Sequence, residues 1–518
     1  MGKVNKLMSK EMFLSKSLYL NGLQCKKYLW LKKYNEKKLQ KPDASQEAIF
    51  KTGDEVGEKA CKLFPGGKQI KYDKTVPHSQ RITQTQKYIA DGVKTIYEAT
   101  FEFNGVLVMV DILNVDKDGN YEIYEVKSST WHSKKKIKEI EKYINDISIQ
   151  YYVLKGCGLK ISKACVTLLN SNYIRDVKED LNKLFIHKNV TEEVVALQSK
   201  IPEKLKSFYS VLEQDKVEPD VDIGHHCKNP YDCPGKEYCW VEQRGIPEYS
   251  VFNIFKLPKK SKALDFYRRG IVNIHDIPQS EKLTKKQKKN VDLVKNNEVF
   301  IDEKKITSFF KSLNHPLYFF DFETYQQALP KYPGISPYMQ IPFQYSLHIM
   351  NRDAPIDHKE FLADHKSDPR KSLVERLVLH IPANVTVIAY NASFEIAVLK
   401  KLVIQFPKHK KHLESIINNT VDLAEIFKNK YYYHPKMNGS CSIKKILGIL
   451  VPEMEKAYKN LDSISKGSDA MQAFPSLKEN KDQEEVAKIR VQLKEYCKLD
   501  TQAMVDIYKK LATIVKYK

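Results

Sequence analysis

The segment VLVMVDILNVDKDGNYEIYEVKSS, residues 106–129, constrains the fold more tightly than any other stretch of the chain. Two β-prone runs flank DKDGN, residues 116–120, whose Asp, Gly and Asn residues favour a turn. A five-residue loop centred on Asp118 pairs Val115 with Tyr121, and counting outward sets Asp111 opposite Glu125. Side chains alternate along a strand, so Glu125 and Lys127 share a face, and cross-strand pairing brings Asp111 to it. The spacing therefore predicts two carboxylates and a lysine at one place. Facing like charges destabilise a buried hairpin unless a cation compensates, and a hard divalent ion such as Mg²⁺ or Mn²⁺ suits carboxylate oxygens. Downstream, Asp146 and Gln150 in DISIQYYVL stand four apart on a predicted helix, which makes Gln150 a candidate lining residue.

The order DIL, hairpin, EVKSS and a helix bearing DISIQYY resembles the RecB-like branch of the PD-(D/E)XK nucleases. The resemblance implies metal ligation by Asp111 and Glu125, with catalytic support from Lys127 and Gln150. One position departs from the pattern. Many RecB-like enzymes carry a histidine four residues after a helix glycine, and here Gly53 is followed at that spacing by Gly57.

Nine cysteines spread over 518 residues do not read as a secreted disulfide framework. Three of them, Cys227, Cys233 and Cys239, recur every six residues in HHCKNPYDCPGKEYCW, where prolines and glycine favour a loop. Cys25 in LNGLQCKKYLWL is the candidate fourth ligand, and zinc held by the three cysteines with His225 or His226 is the alternative. RecB-like nucleases with one N-terminal cysteine and three after the core contain iron-sulfur clusters. That likeness, over residues 14–240, implies a [4Fe-4S] cluster clamping the two ends of the domain. Cys61, Cys157, Cys165, Cys441 and Cys497 lack such a setting and read as packing residues.

In LYFFDFETY, Asp321 and Glu323 alternate with aromatics and so share one strand face. VTVIAY reads as a further strand, and NASFEIAVLKKL as a helix capped by Asn391 or Ser393 with Glu395 in its first turn. In EYCKLDTQAMVDIYKKL, Tyr496 and Asp500 are four apart on a helix. This order resembles the DEDDy class of DnaQ-like 3′–5′ exonucleases over about residues 316–515. The resemblance implies that Asp321, Glu323, Glu395 and Asp500 bind two metal ions, with Tyr496 placing water. Glu395 stands where that class usually has Asp, and Asp422 in VDLAEIF is a substitute ligand. Along its whole length the chain resembles an uncharacterised bacterial family joining a RecB-like half to a DnaQ-like half.

At this length at least two domains are expected. An α/β architecture is predicted, with residues 1–245 as the RecB-like domain, 246–300 as a basic helical connector and 301–518 as the ribonuclease H-like (DnaQ-like) domain. Lys plus Arg exceed Asp plus Glu by 86 to 64, a net charge of +22, which favours a polyanionic partner, DNA first. From Ile254 to Asn290 there are 11 basic against 3 acidic residues, either a solvated linker or part of a nucleic-acid track. Lys3, Lys6, Lys10 and Lys16 interrupt the apolar run a secretory signal needs, and no stretch is long and apolar enough for a bilayer. A cytoplasmic location without a membrane partner is expected. The leading expectation is a metal-dependent nuclease on DNA; a nucleic-acid-binding scaffold with inactive sites and an RNA-processing exonuclease are the alternatives.

Overall fold

The computed structural model describes residues 13–517 except 72, 74, 255, 256, 353, 460, 462 and 463, so Lys3, Lys6 and Lys10 lie outside the described residues. The chain is mixed α/β and divides into two compact units. The first comprises residues 1–245 and 327–338; the second comprises 246–326 and 339–518. The basic stretch 246–300, expected as a separate connector, thus folds as part of the second unit. No helix among the described residues is long and apolar enough to cross a membrane.

The first unit opens with helices α1 (Lys16–Gln24), α2 (Lys26–Tyr34) and α3 (Ala44–Cys61). Strands β1 (Thr95–Phe103), β2 (Val106–Val115) and β3 (Tyr121–Trp131) follow, then helix α4 (Glu141–Gly156), strands β4 (Ile161–Asn170) and β5 (Phe185–Asn189), and helix α5 (Ile201–Glu213). β1 to β5 are neighbours in chain order within a seven-stranded sheet. β2 and β3 pair from Val115 with Tyr121 to Ile112 with Tyr124, the register expected from the turn. Nearer the start of β2, the short strand Leu14–Ser15 pairs in parallel with Val106 and Leu107. That strand runs directly into α1, whose first residue is Lys16.

Alternation along the strands sorts the apolar residues into two cores. Ile123, Ala164, Val166 and Leu168 join Ile144, Ile147 and Leu154 of α4 on one side. Tyr124, Cys165 and Leu169 join Val56 and Ala60 of α3, together with Ala328, on the other. Buried on both faces, the sheet gains roughly 1.5–3 kcal/mol for each large apolar side chain removed from water. The α4 sequence is rich in β-branched residues, yet ten of its sixteen positions are buried, so packing overrides weak helix propensity.

The second unit is built on strands β6 (Leu317–Tyr325), β7 (Ile341–Met350), β8 (Asp357–Leu362), β9 (Thr386–Ala389) and β10 (Thr420–Asp422). Their spatial order is β8-β7-β6-β9-β10. β6 to β8 pair antiparallel, and β6–β9 and β9–β10 pair parallel. Helices α6 (Ser393–Gln405), α7 (Ile443–Leu450) and the long α8 (Gln483–Ile514) complete the frame. Tyr318, Phe320 and Phe322 of β6 pack into a core with Leu399 and Leu402 of α6. The opposite face of β6 meets α8, where Phe319 lies edge-on to Tyr508. α8 starts where the Asp482 side chain accepts from the amides of Glu484 and Glu485, an N-cap whose negative charge also suits the helix dipole.

Two helix glycines of the first unit predict opposite outcomes. A Cβ at Gly156 lies 2.2 Å from the Phe103 ring, whereas a Cβ at Gly57 meets nothing within 4 Å. In urea denaturation, Gly156→Ala is expected to lose about 1–3 kcal/mol through overpacking and Gly57→Ala to gain up to about 1 kcal/mol.

Candidate functional site

In the first unit, β3 and α4 bring Glu125, Lys127, Asp146 and Gln150 together. Glu125 Oε1 accepts from Lys16 Nζ at 2.9 Å and Lys127 Nζ at 2.6 Å, and Oε2 accepts from Gln150 Nε2 at 2.7 Å. Asp146 Oδ2 accepts from Lys127 at 2.7 Å; its Oδ1 lies 3.1 Å from Lys16 and accepts from Gln150 at 3.1 Å. Each lysine therefore bridges the same two carboxylates. Asp111 is anchored differently, its Oδ2 accepting from the Val126 amide at 2.7 Å. All four expected residues, Asp111, Glu125, Lys127 and Gln150, thus stand at one site.

Burial and charge act against each other here. Burial, then Asp111 and Asp146, push the Glu125 carboxyl up to about 7. Burial also disfavours the Asp146 charge, but Lys16 and Lys127 outweigh it and hold this carboxyl below its ordinary range. Both lysines are held above theirs, because the surrounding carboxylates overcome the cost of desolvating them. Both ammonium groups reach Glu125 through Oε1, while Oε2, among the described residues, accepts only from Gln150.

Lys16 and Glu98 are the members of this site that the sequence reading missed. Lys16 lies 109 positions before Glu125 and no motif links them. Glu98, on β1, raises the Asp111 carboxyl and sits at φ 57°, the left-handed region that costs a non-glycine residue roughly 1–2 kcal/mol. The position of the absent histidine, Gly57, is open on α3.

Cys25, Cys227, Cys233 and Cys239 line one small cavity, together with His226, Tyr28 and Leu31. Cys25 is the N-cap of α2, with no side-chain cap hydrogen bond, and burial raises its thiol. The cysteine loop closes through the Cys233 amide, which donates to Cys227 O at 2.9 Å. Burial first, then the neighbouring thiols, push Cys233 up to about 12, so a thiolate there requires a positive centre. Four thiols around one cavity form a donor set suited to iron-sulfur or zinc. Of the two alternative histidines, His226 lines the cavity and His225 is exposed. All nine cysteines are free of disulfides. Cys157, expected as a packing residue, is exposed: it follows directly after the last residue of α4.

In the second unit, Asp321 and Glu323 project from β6 and Asp500 from α8. Asp500 Oδ1 accepts from Tyr458 OH at 2.6 Å, and Tyr496, one turn earlier on α8, helps lower the Asp500 carboxyl against its burial. Glu395 sits in the first turn of α6, 3% exposed, and its Oε2 has no hydrogen-bond partner among the described residues. Burial, followed by Asp500, Glu395 and Glu323, drives the Asp321 carboxyl well above its usual value. Burial and Asp500 do the same to Glu323, and burial raises Asp500. Glu395 is pushed up to about 8, chiefly by burial. Asp321, Glu323, Glu395 and Asp500 therefore share one electrostatic site, with Tyr496 against it.

Three details differ from expectation. Ala392 is the N-cap of α6 and makes no side-chain cap; Asn391, at φ 63°, turns its amide to Asp422 instead. Asp422 accepts from the Asn391 and Ala424 amides and pairs with Lys428 at 2.9 Å, so its oxygens serve the loop while its charge raises Glu395. Cys497, expected as a packing residue, is buried but places its sulfur within 4.8 Å of ligand oxygens of both Asp321 and Glu323. Its position between Tyr496 and Asp500 on α8 was the available signal. Tyr458 and Lys444 were also missed. Lys444 Nζ lies 4.9 Å from the Tyr458 ring centre and 5.1 Å from that of Tyr496, and it lowers the Glu323 and Asp500 carboxyls.

The oxygen-rich second site fits Mg²⁺ or Mn²⁺: its carboxylates repel one another, and one buried oxygen is unpartnered. The Cys497 thiol, which burial and these acids keep protonated, is the exception in this donor set.

Residues 318–442 match a family model described as a domain of unknown function, DUF2779. This stretch includes Asp321, Glu323 and Glu395 and ends before Tyr496 and Asp500. The chain is similar to Uncharacterized protein UU173 of Ureaplasma parvum, 26% identical over 306 residues, covering 56% of this chain and 40% of the relative. It is also similar to Uncharacterized protein MG366 of Mycoplasma genitalium, 28% identical over 215 residues, covering 38% and 32% respectively. A Mycoplasma pneumoniae homolog of MG366 is 27% identical over 220 residues, covering 39% and 33%. The chain spans two-fifths or less of the length of the curated relatives it matches.

Two predictions follow from the electrostatics. Lys16→Met leaves Glu125 and Asp146 with one ammonium between them, and a loss on the order of 3 kcal/mol is expected in urea denaturation, as for other broken buried pairs. Glu395, whose folded-state value is above its unfolded one, favours the folded state at low pH and loses that contribution as pH rises from about 4.5 to about 8. With a chelator present, wild-type thermal stability should fall over that window, less so in Glu395→Gln, and Mn²⁺ should flatten the wild-type profile.

Proposed function

We propose that the chain is a metal-dependent deoxyribonuclease with two sites, a RecB-like PD-(D/E)XK site in the first unit and a DnaQ-like DEDDy 3′–5′ exonuclease site in the second. One observation carries the reading. Asp321, Glu323, Glu395 and Asp500 come from a strand and two helices, the other three acids raise Asp321, and Glu395 Oε2 has no hydrogen-bond partner among the described residues. Such an arrangement is costly without a function that needs it.

Asp321, Glu323, Asp500 and Glu395 would hold the metal, which would lower the pKa of bound water and polarise the scissile phosphate. The protein's own groups supply the rest. Tyr458 and Tyr496 fix the Asp500 carboxylate, and Lys444 beside the two rings offsets charge on the phosphate. In the first unit, Lys127 is placed to stabilise developing negative charge while Gln150 orients Glu125. The four thiols around one cavity support an iron-sulfur cluster in a structural role.

A specific observation favours a second reading for the first unit. Lys16 and Lys127 each pair with both Glu125 and Asp146, ion pairs that a nucleic-acid-binding scaffold with an inactive site would keep.

Digestion of end-labelled single- and double-stranded DNA with Mg²⁺ or Mn²⁺ separates these readings. Asp321→Ala should abolish stepwise release of 3′ nucleotides, and Lys127→Ala should reduce a distinct set of products roughly a hundredfold. Stepwise release unchanged in Asp321→Ala overturns the exonuclease site; one product set, insensitive to Lys127→Ala, supports the binding reading for the first unit. In anaerobically purified protein, a visible charge-transfer band with iron in excess of zinc is expected, and zinc without iron overturns the cluster.

A further inference from the structure

The loop between Cys227 and Cys233 carries Tyr231, an aromatic residue that is 55% exposed between Pro230 and Asp232. The loop does not hang free. Gln24 Nε2, one residue before Cys25, donates to Tyr231 O at 2.8 Å and to His226 O at 2.9 Å. The residues that gather the thiols thus also fix the backbone presenting this ring.

Tyr231 is the outer end of an alternating series. Lys142 Nζ stands 4.3 Å from the Tyr231 ring centre and 4.9 Å from that of Tyr143. Lys127 Nζ lies 5.7 Å from the Tyr143 ring centre on its other contact, and the Tyr143 hydroxyl is held by Ser129 Oγ at 2.5 Å. Aromatic, cation, aromatic and cation follow one another toward the Glu125 carboxylate, all within the first unit; Tyr143 is buried in the core, so Tyr231 and Lys142 are the pair a ligand meets. A ligand that matches this pair needs a flat face next to a negative charge. Single-stranded DNA, with unpaired bases and a phosphate per nucleotide, has that chemistry, whereas a duplex keeps its base faces stacked.

We propose that Tyr231 and Lys142 form the entry subsite of the first site, a base stacking on Tyr231 while the adjoining phosphate pairs with Lys142 and the strand leads on toward Lys127. The proposal rests on the nuclease or nucleic-acid-binding reading of the first unit. It adds a subsite outside the carboxylate cluster, an exposed aromatic ring beside a lysine, that contacts the strand before the site.

The test measures binding of a fluorescein-labelled oligothymidylate of about 15 nucleotides to the full chain in chelator, where no cutting intervenes. Tyr231→Ala is expected to weaken binding roughly tenfold, and Tyr231→Trp to preserve it, with tryptophan emission quenched beyond that of wild type when the oligonucleotide is added. An abasic oligonucleotide should bind wild type and Tyr231→Ala equally. Because Tyr231 is exposed, both variants should keep the wild-type thermal transition. Equal oligothymidylate binding by wild type and Tyr231→Ala, or no added quenching in Tyr231→Trp, overturns the subsite while leaving the wider reading intact. No binding by wild type itself overturns both.

Discussion

Carboxylates gathered out of water repel one another, and each unit of this protein is arranged around a different response to that cost. In the first unit the charges are answered from within: Lys16 and Lys127 each touch both Glu125 and Asp146, matching those two acids with two ammonium groups. In the second unit Lys444 acts on the acids only at longer range, so burial and neighbouring carboxylates raise Asp321 and Glu323, and burial raises Asp500. The same residue type therefore performs differently in the two places. One cluster is an ion-paired network, and the other is a set of buried acids with no cation in direct contact among the described residues.

The backbone explains how the first network is assembled. Leu14–Ser15 lies alongside the start of β2, and the next residue is Lys16. A few residues later come Gln24 and Cys25, which tie the cysteine loop to the same helix pair. One short stretch of chain thus serves the ion network, the thiol cavity and the exposed Tyr231. A substitution in α1 is felt at all three.

What was legible in the sequence was local. The DKDGN turn determined the register, so Asp111, Glu125 and Lys127 could be placed by counting, and helical spacing placed Gln150 and the Tyr496–Asp500 pair. What was not legible depended on distant contacts. Lys16 has no spacing relationship to Glu125, and Tyr458 reaches Asp500 from 42 positions away. β7 gave no alternation to read because every one of its residues is buried. The start of α6 misled because Asn391 and Ser393 look like caps, whereas Asn391 adopts a left-handed conformation and turns toward Asp422. Cys497 resembled a core residue and is one, but the core at that point is lined by carboxylates.

The division of the chain into units is not a single cut. Residues 327–338 leave the second unit's sheet between β6 and β7 and belong to the first unit, where Tyr338 OH donates to Ser128 O at 2.6 Å and the Arg175 amide to Ile335 O at 2.9 Å. Ser128 follows Lys127 directly. During synthesis, then, the first unit is incomplete when residue 245 emerges and gains its last piece only after residue 338, a delay of roughly 5–20 s at ordinary elongation rates. Until then the Ser128 carbonyl beside Lys127 lacks its Tyr338 hydroxyl, and an order of assembly is written into the threading of the chain.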